Sequence, residues 1–393
     1  MRLNVLDLPS VAARPAGFES GPRSIGAVKV LRLSITDRCN YRCVYCMPED
    51  GVTWLEKDSI LSFEEIADVV KAAIEVHGIR RFKITGGEPT VRHGLLDLVT
   101  MLRRIDGIED LSMTTNGQRL LELAAPLHEA GLDRVTVSLD SLRPHRFKTI
   151  TRTGDLYAVL AGIDRAEDVG FKSLKVNCVT MRGTNDDELA DFARLSINRK
   201  LTVRFIEYMP LGDAALLNKA EGERMKDEKG AEASDHFHPS SLILHPSPSE
   251  SGPAGGCGAQ DRGEDSLISE AEVRERIEKE LGPLEPVDRE TEAGVGPANI
   301  YRLANHNPKG RVGFISAMSA PFCATCNRLR LTADGVLRSC LFDGGEVDVR
   351  SILRSGGTGS KSQALADAMT ECVRLKPEVH SGHGNQQMSR LGG

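Results

Sequence analysis

The sequence has few aromatic residues and no excess of positive charge. Only 4% of its 393 residues are Phe, Trp or Tyr, with Trp54 the single tryptophan, and the formal net charge is −6. Proteins that bind single-stranded nucleic acid stack bases on aromatic side chains and follow the phosphates with basic ones. The composition therefore predicts that no nucleic acid is a partner.

Long apolar stretches are also lacking. No run approaches the roughly 20 apolar residues that a membrane span needs. The first residues, MRLNVLDLPSVAARPAGFESG, contain no apolar core of a signal peptide, and they include acidic residues that transit peptides avoid. We therefore expect a cytoplasmic protein that does not enter a membrane, with an N-terminal arm over residues 1–26 that carries no motif.

Residues 27–212 alternate between two kinds of pattern. Six β-rich runs, from VKVLRLSIT to LTVRFIEYM, are separated by five helical patterns. One of these, SFEEIADVVKAAIEVHG, begins at a Ser62 cap and ends at Gly78. Strands that alternate with helices indicate βαβ units and a parallel sheet. Six such units fit either an open, doubly wound sheet or an incomplete barrel.

Two further regions follow. Residues 213–268 are rich in Ser, Pro, Gly, His and charge, which predicts a flexible insertion that cannot form a core. Residues 269–393 begin with the helical pattern SEAEVRERIEKEL and continue with three β-rich stretches, the last of which contains an Asp334-Gly335 hairpin signal. A helix is expected near 361–374, and a polar tail ends in Gly-Gly.

Six of the nine cysteines form two groups without a nearby His. The loop CNYRCVYC carries Cys39, Cys43 and Cys46, directly after the first β-rich run. Structural zinc sites close four positions, usually with paired ligands, so three thiols fit better on a 4Fe–4S cluster with one iron left open. A second group contains Cys323, Cys326 and Cys340, for which zinc is the alternative. The other cysteines are scattered, and Cys257 in the insertion is interpreted as incidental.

Cations interrupt several of the predicted strands. Strands of a parallel sheet are buried on both faces and are usually apolar throughout, yet four of these strands each contain a Lys or Arg. Either these side chains point to solvent, or they converge on something strongly anionic such as a polyphosphate. Two more alternate along the strand after Cys326. The six are Arg32, Lys83, Lys175, Arg204, Arg328 and Arg330.

The C-x3-C-x2-C spacing resembles the signature of the radical S-adenosylmethionine superfamily. Longer segments narrow the resemblance: LRLSITDRCNYRCVYCMPE, ITGGEPTVR, VTVSLDSL, RFIEYMPLGD, CATCNRLRLTADGVLRSCLF and the terminal Gly-Gly are similar to the GTP 3′,8-cyclase family of molybdenum cofactor biosynthesis. Two features depart from that pattern. Lys83 stands where family members often have Arg, and the 213–268 insertion is additional.

The resemblance implies the fold, the reaction and the cofactors. The fold would be α/β, an incomplete (β/α)6 barrel similar to a TIM barrel, with a smaller C-terminal region that carries a second Fe–S cluster. The reaction would turn GTP into 3′,8-cyclo-7,8-dihydroguanosine 5′-triphosphate, through a 5′-deoxyadenosyl radical that abstracts the ribose C3′ hydrogen. Two 4Fe–4S clusters and S-adenosylmethionine would be required, and the second cluster would hold the guanine.

The resemblance also assigns residues to each role. The first 4Fe–4S cluster would be bound by Cys39, Cys43 and Cys46, and the second by Cys323, Cys326 and Cys340. S-adenosylmethionine would contact Tyr45, Gly87, Glu88, Ser138 and Met209. GTP would contact Arg32, Lys83, Thr114, Lys175, Arg204, Arg328, Leu329 and Arg330. Catalytic roles would fall to Arg328, Arg330, Gly392 and Gly393, the last two by reaching into the barrel and assisting the steps after cofactor cleavage.

The expected partners are GTP, an electron donor such as flavodoxin or ferredoxin, and the downstream cyclic pyranopterin monophosphate synthase. Whether the chain forms a homodimer is left open by the sequence. Two other classes of protein also remain open at this point. One is a peptide-modifying radical enzyme with an auxiliary cluster, although those usually carry more C-terminal cysteines. The other is a non-enzymatic module in which both cysteine groups bind zinc.

Overall fold

The computed structural model describes residues 2–4, 21–211, 266–288, 296–342, 344–355 and 360–380. Within these ranges, thirteen strands form a single sheet. In chain order they are β1 (Arg2–Asn4), β2 (Val30–Ser34), β3 (Arg81–Thr85), β4 (Asp110–Thr115), β5 (Arg134–Ser138), β6 (Ser173–Thr180), β7 (Leu201–Glu207), β8 (Leu284–Pro286), β9 (Asn299–Leu303), β10 (Arg311–Ile315), β11 (Arg328–Leu331), β12 (Val336–Arg338) and β13 (Glu346–Asp348).

Nine α-helices lie in the same described ranges. They are α1 (Phe63–His77), α2 (Leu95–Arg103), α3 (Leu120–Glu129), α4 (Pro144–Thr151), α5 (Leu156–Val169), α6 (Leu189–Asn198), α7 (Glu270–Leu281), α8 (Arg350–Arg354) and α9 (Lys361–Arg374). The predicted start and end of α1 are confirmed. Ser62 forms a capping box with Glu65, and Gly78 ends the helix in the left-handed conformation.

The strands β2 to β7 are neighbours in sequence order, and all run parallel. A helix lies in every connection between them, which confirms the predicted βα units. Side chains along these strands alternate between two environments. Leu31, Leu33, Phe82 and Ile84 are fully buried in the apolar core, whereas the residues between them line a cavity. This arrangement is a partial barrel, so the open doubly wound sheet is not the fold.

The C-terminal region extends this sheet at both edges. Its strand β10 pairs in parallel with β7, and its strand β11 pairs in parallel with β2. Beyond these edges, the neighbouring strands are mostly antiparallel, with β9 and β8 on one side and β12 and β13 on the other. The predicted hairpin joins β11 and β12, and Gly335 adopts a φ of 83° in its turn.

Some elements were not predicted. Helix α4 has the polar sequence PHRFKTIT, in which only Phe147, Ile150 and Thr151 are buried. Strand β1 lies within the predicted N-terminal arm and pairs with β13. Most of the predicted 213–268 insertion and the Gly-Gly end lie outside the described residues. In the described part of the chain, no helix is long and apolar enough to cross a membrane.

Candidate active site

A cavity of about 540 Å³ lies on the inner side of the parallel strands. Both cysteine groups and all six strand cations contribute to its lining. The cysteine loop at Cys39 follows the carboxyl end of β2, whereas Cys326 precedes β11, whose Arg328 pairs with Val30 at the start of β2. Because β2 and β11 are parallel, the two cysteine groups occupy opposite ends of the strands.

The first cysteine loop is held by the last residues of α4 and by Arg152, which follows them. The amides of Arg42 and Val44 donate to the carbonyls of Thr151 and Ile150, over 3.1 and 2.9 Å. The Arg152 guanidinium donates to the carbonyls of Arg42 and Met47 over 2.8 and 3.1 Å. Arg152 itself has a φ of 62°, an uncommon conformation for a residue with a side chain. These hydrogen bonds to the main chain of the loop hold its backbone in one conformation.

Burial disfavours the thiolate form of two cysteines of this loop, Cys39 and Cys43. Burial raises the pKa of Cys39 to about 11. Burial, with the nearby Cys46 and Asp140, raises the pKa of Cys43 well above its ordinary value. A cationic iron centre is the kind of partner that keeps such thiols deprotonated. The donor set and its environment therefore fit an Fe–S cluster.

The glycines after β3 pack against this loop. A Cβ atom on Gly87 would lie 2.3 Å from the carbonyl oxygen of Arg38 and 2.5 Å from that of Asp37. The Gly87 amide donates to the Thr36 carbonyl over 2.6 Å. The physical reason for glycine here is thus a close approach between two backbone segments, the cysteine loop and the turn after β3.

Glu88 is buried and fully engaged within the protein. Its carboxylate accepts hydrogen bonds from the Thr90 amide and hydroxyl, over 3.0 and 2.6 Å, from the Thr115 hydroxyl over 2.7 Å, and from the Asn116 amide over 2.6 Å. These bonds tie the turn after β3 to the end of β4. Burial raises the pKa of Glu88, and the hydrogen bonds oppose that effect.

The predicted S-adenosylmethionine residues lie around this end of the cavity. Five of them line it, namely Tyr45, Gly87, Glu88, Ser138 and Met209. The Tyr45 hydroxyl donates to Asp140 Oδ2 over 2.7 Å. Asp140 follows β5, also lines the cavity, and was not predicted from the sequence.

At the other end, cations surround the second cysteine group. The Lys376 ammonium lies 3.8 Å from Cys326 Sγ, and the Arg328 guanidinium lies 3.9 Å from it. Burial alone raises the pKa of Cys326, but Arg328 and Lys376 bring the pKa below its ordinary value. The hydroxyl of Ser339, beside Cys340, is buried and has no hydrogen-bond partner among the described residues.

The strand cations converge in the cavity, which is the second of the two alternatives that the sequence left open. Arg330 pairs with Arg32 across β11 and β2, and Arg32 pairs with Lys83 across β2 and β3. Burial, together with Arg204, Arg32 and Lys175, lowers the pKa of Lys83. Burial, with Arg204 and Arg134, lowers the pKa of Lys175 to about 7. These cations repel one another across the cavity, so an anion placed there would be stabilised.

Comparisons with known proteins agree with this geometry. Residues 33–196 match the radical SAM superfamily model, and residues 250–382 match the Molybdenum Cofactor Synthesis C model. A GTP 3′,8-cyclase of Thermodesulfovibrio yellowstonii is 40% identical over 93% of this chain and 98% of that protein. One from Pelotomaculum thermopropionicum is 42% identical over 93% of this chain and 98% of its own. The chain belongs to the GTP 3′,8-cyclase family.

A solved structure is similar at a greater distance. Streptococcus suis SuiB bound to precursor peptide SuiA shares 12% identity, with a TM-score of 0.49, over 90% of this chain and 66% of that one. The predicted family and fold class are confirmed by the two family models and the GTP 3′,8-cyclase relatives. Membership of the radical SAM superfamily implies an Fe–S cluster and S-adenosylmethionine.

Several polar residues that line the cavity of this GTP 3′,8-cyclase family member were not predicted, because nothing in their residue types distinguishes them from other polar residues in strands. Thr136 accepts a hydrogen bond from Lys83 Nζ over 3.0 Å, and Asn177 accepts one from Arg204 Nε over 2.9 Å. Arg134 forms an ion pair with Asp110 over 2.7 Å. All four line the cavity. Their alternation along the strands is the signal that could have identified them.

Three predicted residues stand apart from the rest. The Leu329 side chain is fully buried in the apolar core, between the cavity-facing Arg328 and Arg330, and Leu329 does not line the cavity. Gly392 and Gly393 lie outside the described residues. In the described part of the chain, no three His, Cys, Asp or Glu side chains are grouped closely enough to hold a single metal ion.

Proposed function

We propose that this chain converts GTP into 3′,8-cyclo-7,8-dihydroguanosine 5′-triphosphate in molybdenum cofactor biosynthesis. The observation that carries the proposal is one cavity that joins two cysteine groups through a wall of mutually repelling cations. A substrate held in this cavity must place a strongly anionic group against that wall. A nucleoside triphosphate meets that requirement.

The first end of the cavity is assigned to radical generation. Cys39, Cys43 and Cys46 would bind the first 4Fe–4S cluster, which with S-adenosylmethionine supplies a 5′-deoxyadenosyl radical that removes the ribose C3′ hydrogen. Tyr45 would pack near the adenine, in an orientation fixed by its hydrogen bond to Asp140. Gly87, Glu88, Ser138 and Met209 would line the rest of that pocket, with Glu88 holding the turn rather than binding a ligand by its own carboxylate.

The middle of the cavity is assigned to the triphosphate. Arg32, Lys83, Lys175 and Arg204 would donate to phosphate oxygens, and a charge-assisted hydrogen bond of this kind contributes about 1.5–3 kcal/mol. The hydrogen bonds from Lys83 to Thr136 and from Arg204 to Asn177 hold two of these cations toward the cavity. Thr114, on β4, lines the same wall.

The second end is assigned to the base. Cys323, Cys326 and Cys340 would bind the second 4Fe–4S cluster, whose open iron would hold guanine. Arg328 and Arg330 line this part of the cavity and would position the substrate there, whereas the contact of Leu329 with GTP stays a prediction from the sequence. The roles of Gly392 and Gly393 stay predictions from the sequence.

The other partners follow from this reaction and remain part of the proposal. The first cluster needs a low-potential electron donor, for which flavodoxin or ferredoxin is expected. The cyclised product would pass to cyclic pyranopterin monophosphate synthase. A cytoplasmic location fits the free thiols, and it too is part of the proposal.

The deciding experiment is anaerobic incubation of the reconstituted protein with GTP, S-adenosylmethionine and dithionite. We expect 5′-deoxyadenosine and the cyclic nucleotide in equal amounts, measured by liquid chromatography with mass spectrometry. GTP deuterated at C3′ should transfer deuterium to 5′-deoxyadenosine. Unlabelled 5′-deoxyadenosine alongside unconsumed GTP would refute the proposed substrate, and a colourless protein without iron would refute both clusters.

A further inference from the structure

Residues 376–380, which follow α9, contact residues on both sides of the second cysteine group. Lys376 Nζ donates to the carbonyl of Cys326 over 3.2 Å and to that of Arg328 over 3.1 Å. His380 Nε2 donates to the carbonyl of Ala317, which precedes Cys323, over 2.8 Å. The His380 ring also stacks on Phe342, just after Cys340, with 4.0 Å between ring centroids.

Lys376 occupies an unusual position for a lysine. Only 4% of its surface is exposed, although lysine is rarely buried without a partner. Two of its three ammonium hydrogens are used by the carbonyls of Cys326 and Arg328. The sulfur of Cys326 lies 3.8 Å from the same nitrogen. In the described part of the chain, no carboxylate forms an ion pair with Lys376.

A buried charge without an opposite charge is unfavourable. Cys326 Sγ, 3.8 Å from the Lys376 ammonium, can carry a negative charge, because it becomes a thiolate when it binds iron. Arg328 lies at a similar distance from this sulfur, but it lines the cavity, where a substrate would bind. Lys376 does not line the cavity, and its printed contacts are with Cys326 and with the carbonyl of Arg328, so its charge lies closer to the Cys326 ligand than to a bound substrate.

We propose that Lys376 is a positioning residue of the second cluster, fixing the Cys326 loop and raising the cluster's reduction potential. A positive charge beside a ligand sulfur favours the reduced cluster, which carries one more negative charge. This inference rests on the proposed function, namely that Cys323, Cys326 and Cys340 bind a 4Fe–4S cluster. It requires no contact between Lys376 and GTP.

The test uses the full chain with Cys39, Cys43 and Cys46 replaced by Ala, so that only the second cluster is observed. In this parent, Lys376→Met removes the charge and keeps most of the apolar stem, whereas Lys376→Arg keeps the charge. Lys361→Met is the matched control, because Lys361 is paired with Asp68 at the surface. Iron content, iron loss to a chelator and the midpoint potential by electron paramagnetic resonance are measured.

We expect Lys376→Met to lower the midpoint potential and to speed iron loss severalfold, while Lys376→Arg and Lys361→Met match the parent. Loss of the cluster in Lys376→Met but not in Lys376→Arg would equally support the assignment. An unchanged potential in Lys376→Met, or equal defects in the Met and Arg variants, would overturn it. A parent without iron would instead refute the proposed second cluster, which keeps the two failures distinct.

Discussion

The hydroxyl of Tyr45 donates a hydrogen bond to Asp140 Oδ2 over 2.7 Å, which joins the first cysteine loop to the end of β5. The other oxygen of Asp140 accepts from the Val179 amide over 2.8 Å. Burial raises the pKa of Asp140 to about 6. The aromatic ring is therefore held in place by a carboxylate that is itself fixed between two strand ends.

This relationship predicts coupled effects on S-adenosylmethionine binding. Asp140→Ala and Tyr45→Phe should each weaken binding by about tenfold, since each removes the same charge-assisted hydrogen bond. The double variant should lose no more than either single variant, because residues in one hydrogen bond are not additive. Anaerobic equilibrium dialysis measures the affinities, with iron content as the control for cluster loss. Strictly additive losses would show that the two side chains act separately.

The two cysteine groups should be separable by function. Cys39→Ser, Cys43→Ser or Cys46→Ser should abolish formation of 5′-deoxyadenosine, because three thiolates hold the first cluster with none to spare. Replacing Cys323, Cys326 and Cys340 by Ala should leave about half of the iron. This variant should still cleave S-adenosylmethionine slowly, but it should form no cyclic product. Normal GTP turnover by the variant without Cys323, Cys326 and Cys340 would show that the second cysteine group has only a structural role.

Removing the charge of Arg204 should weaken GTP binding by about 1.5–3 kcal/mol, which is roughly ten- to hundredfold. Arg302→Ala is the matched control, since Arg302 forms an exposed ion pair with Glu285 away from the cavity. Equilibrium dialysis compares GTP with guanosine. Equal affinities of the unaltered protein for these two ligands would contradict a cavity that binds phosphate.

GTP binding should take up protons near pH 8. Without ligand, the pKa of Lys175 is lowered to about 7 by burial and by Arg204 and Arg134, so its amine is mostly neutral at that pH. The triphosphate favours the ammonium form, so a proton binds together with GTP. Calorimetry in buffers of different ionisation enthalpy measures this uptake. Lys175→Arg should reduce it, because guanidinium is already charged.

The same pKa has a consequence for the stability of the ligand-free protein. The folded pKa of Lys175 lies below its ordinary value of 10.5, so the unfolded chain binds more protons between pH 7 and 10.5. The contribution of Lys175 to the free energy of unfolding should therefore rise with pH in this window. Lys175→Met should flatten that rise in denaturant titrations. An unchanged slope would show that Lys175 keeps its charge in the folded state.

Much of the site could be predicted from the sequence, because successive side chains of a strand point to opposite faces of the sheet. Arg328 and Arg330 lie two residues apart, so a strand places both on one face, and the structure places both in the cavity. The same rule places Leu329 on the opposite face, in the core. The cysteine spacing depends only on local chain geometry, and it too was sufficient to predict a metal-binding loop.

Other parts depended on contacts between distant segments. Lys376 meets Cys326 from 50 residues away, and Asp140 meets Tyr45 from 95 residues away. Neither partner is marked by a local pattern. The pairing of β11 with β2 joins residues almost 300 positions apart, and no periodicity in the sequence specifies it. Such relations follow from the assembled barrel.

For the glycines after β3, the structure gives a different physical reason for the residue type from the one that the sequence gives. The resemblance implies that Gly87 contacts S-adenosylmethionine. In the structure, a Cβ on Gly87 would come within 2.3 Å of the Arg38 carbonyl oxygen, which belongs to the loop that leads into Cys39. This oxygen also accepts the Glu88 amide over 2.8 Å, so it cannot move without loss of that bond.

Gly87→Ala should therefore displace the cysteine loop, since overpacking of this kind costs about 1–3 kcal/mol when backbone must shift. We expect S-adenosylmethionine binding to be lost and iron to fall to about half, because the second cysteine group is distant. Gly26→Ala is the control, as its added Cβ would meet only Ser24 Oγ, at 3.6 Å. Full iron content and normal cofactor binding in Gly87→Ala would mean that the loop can shift freely. In that event, the close approach of the two segments would not be what fixes the first cluster.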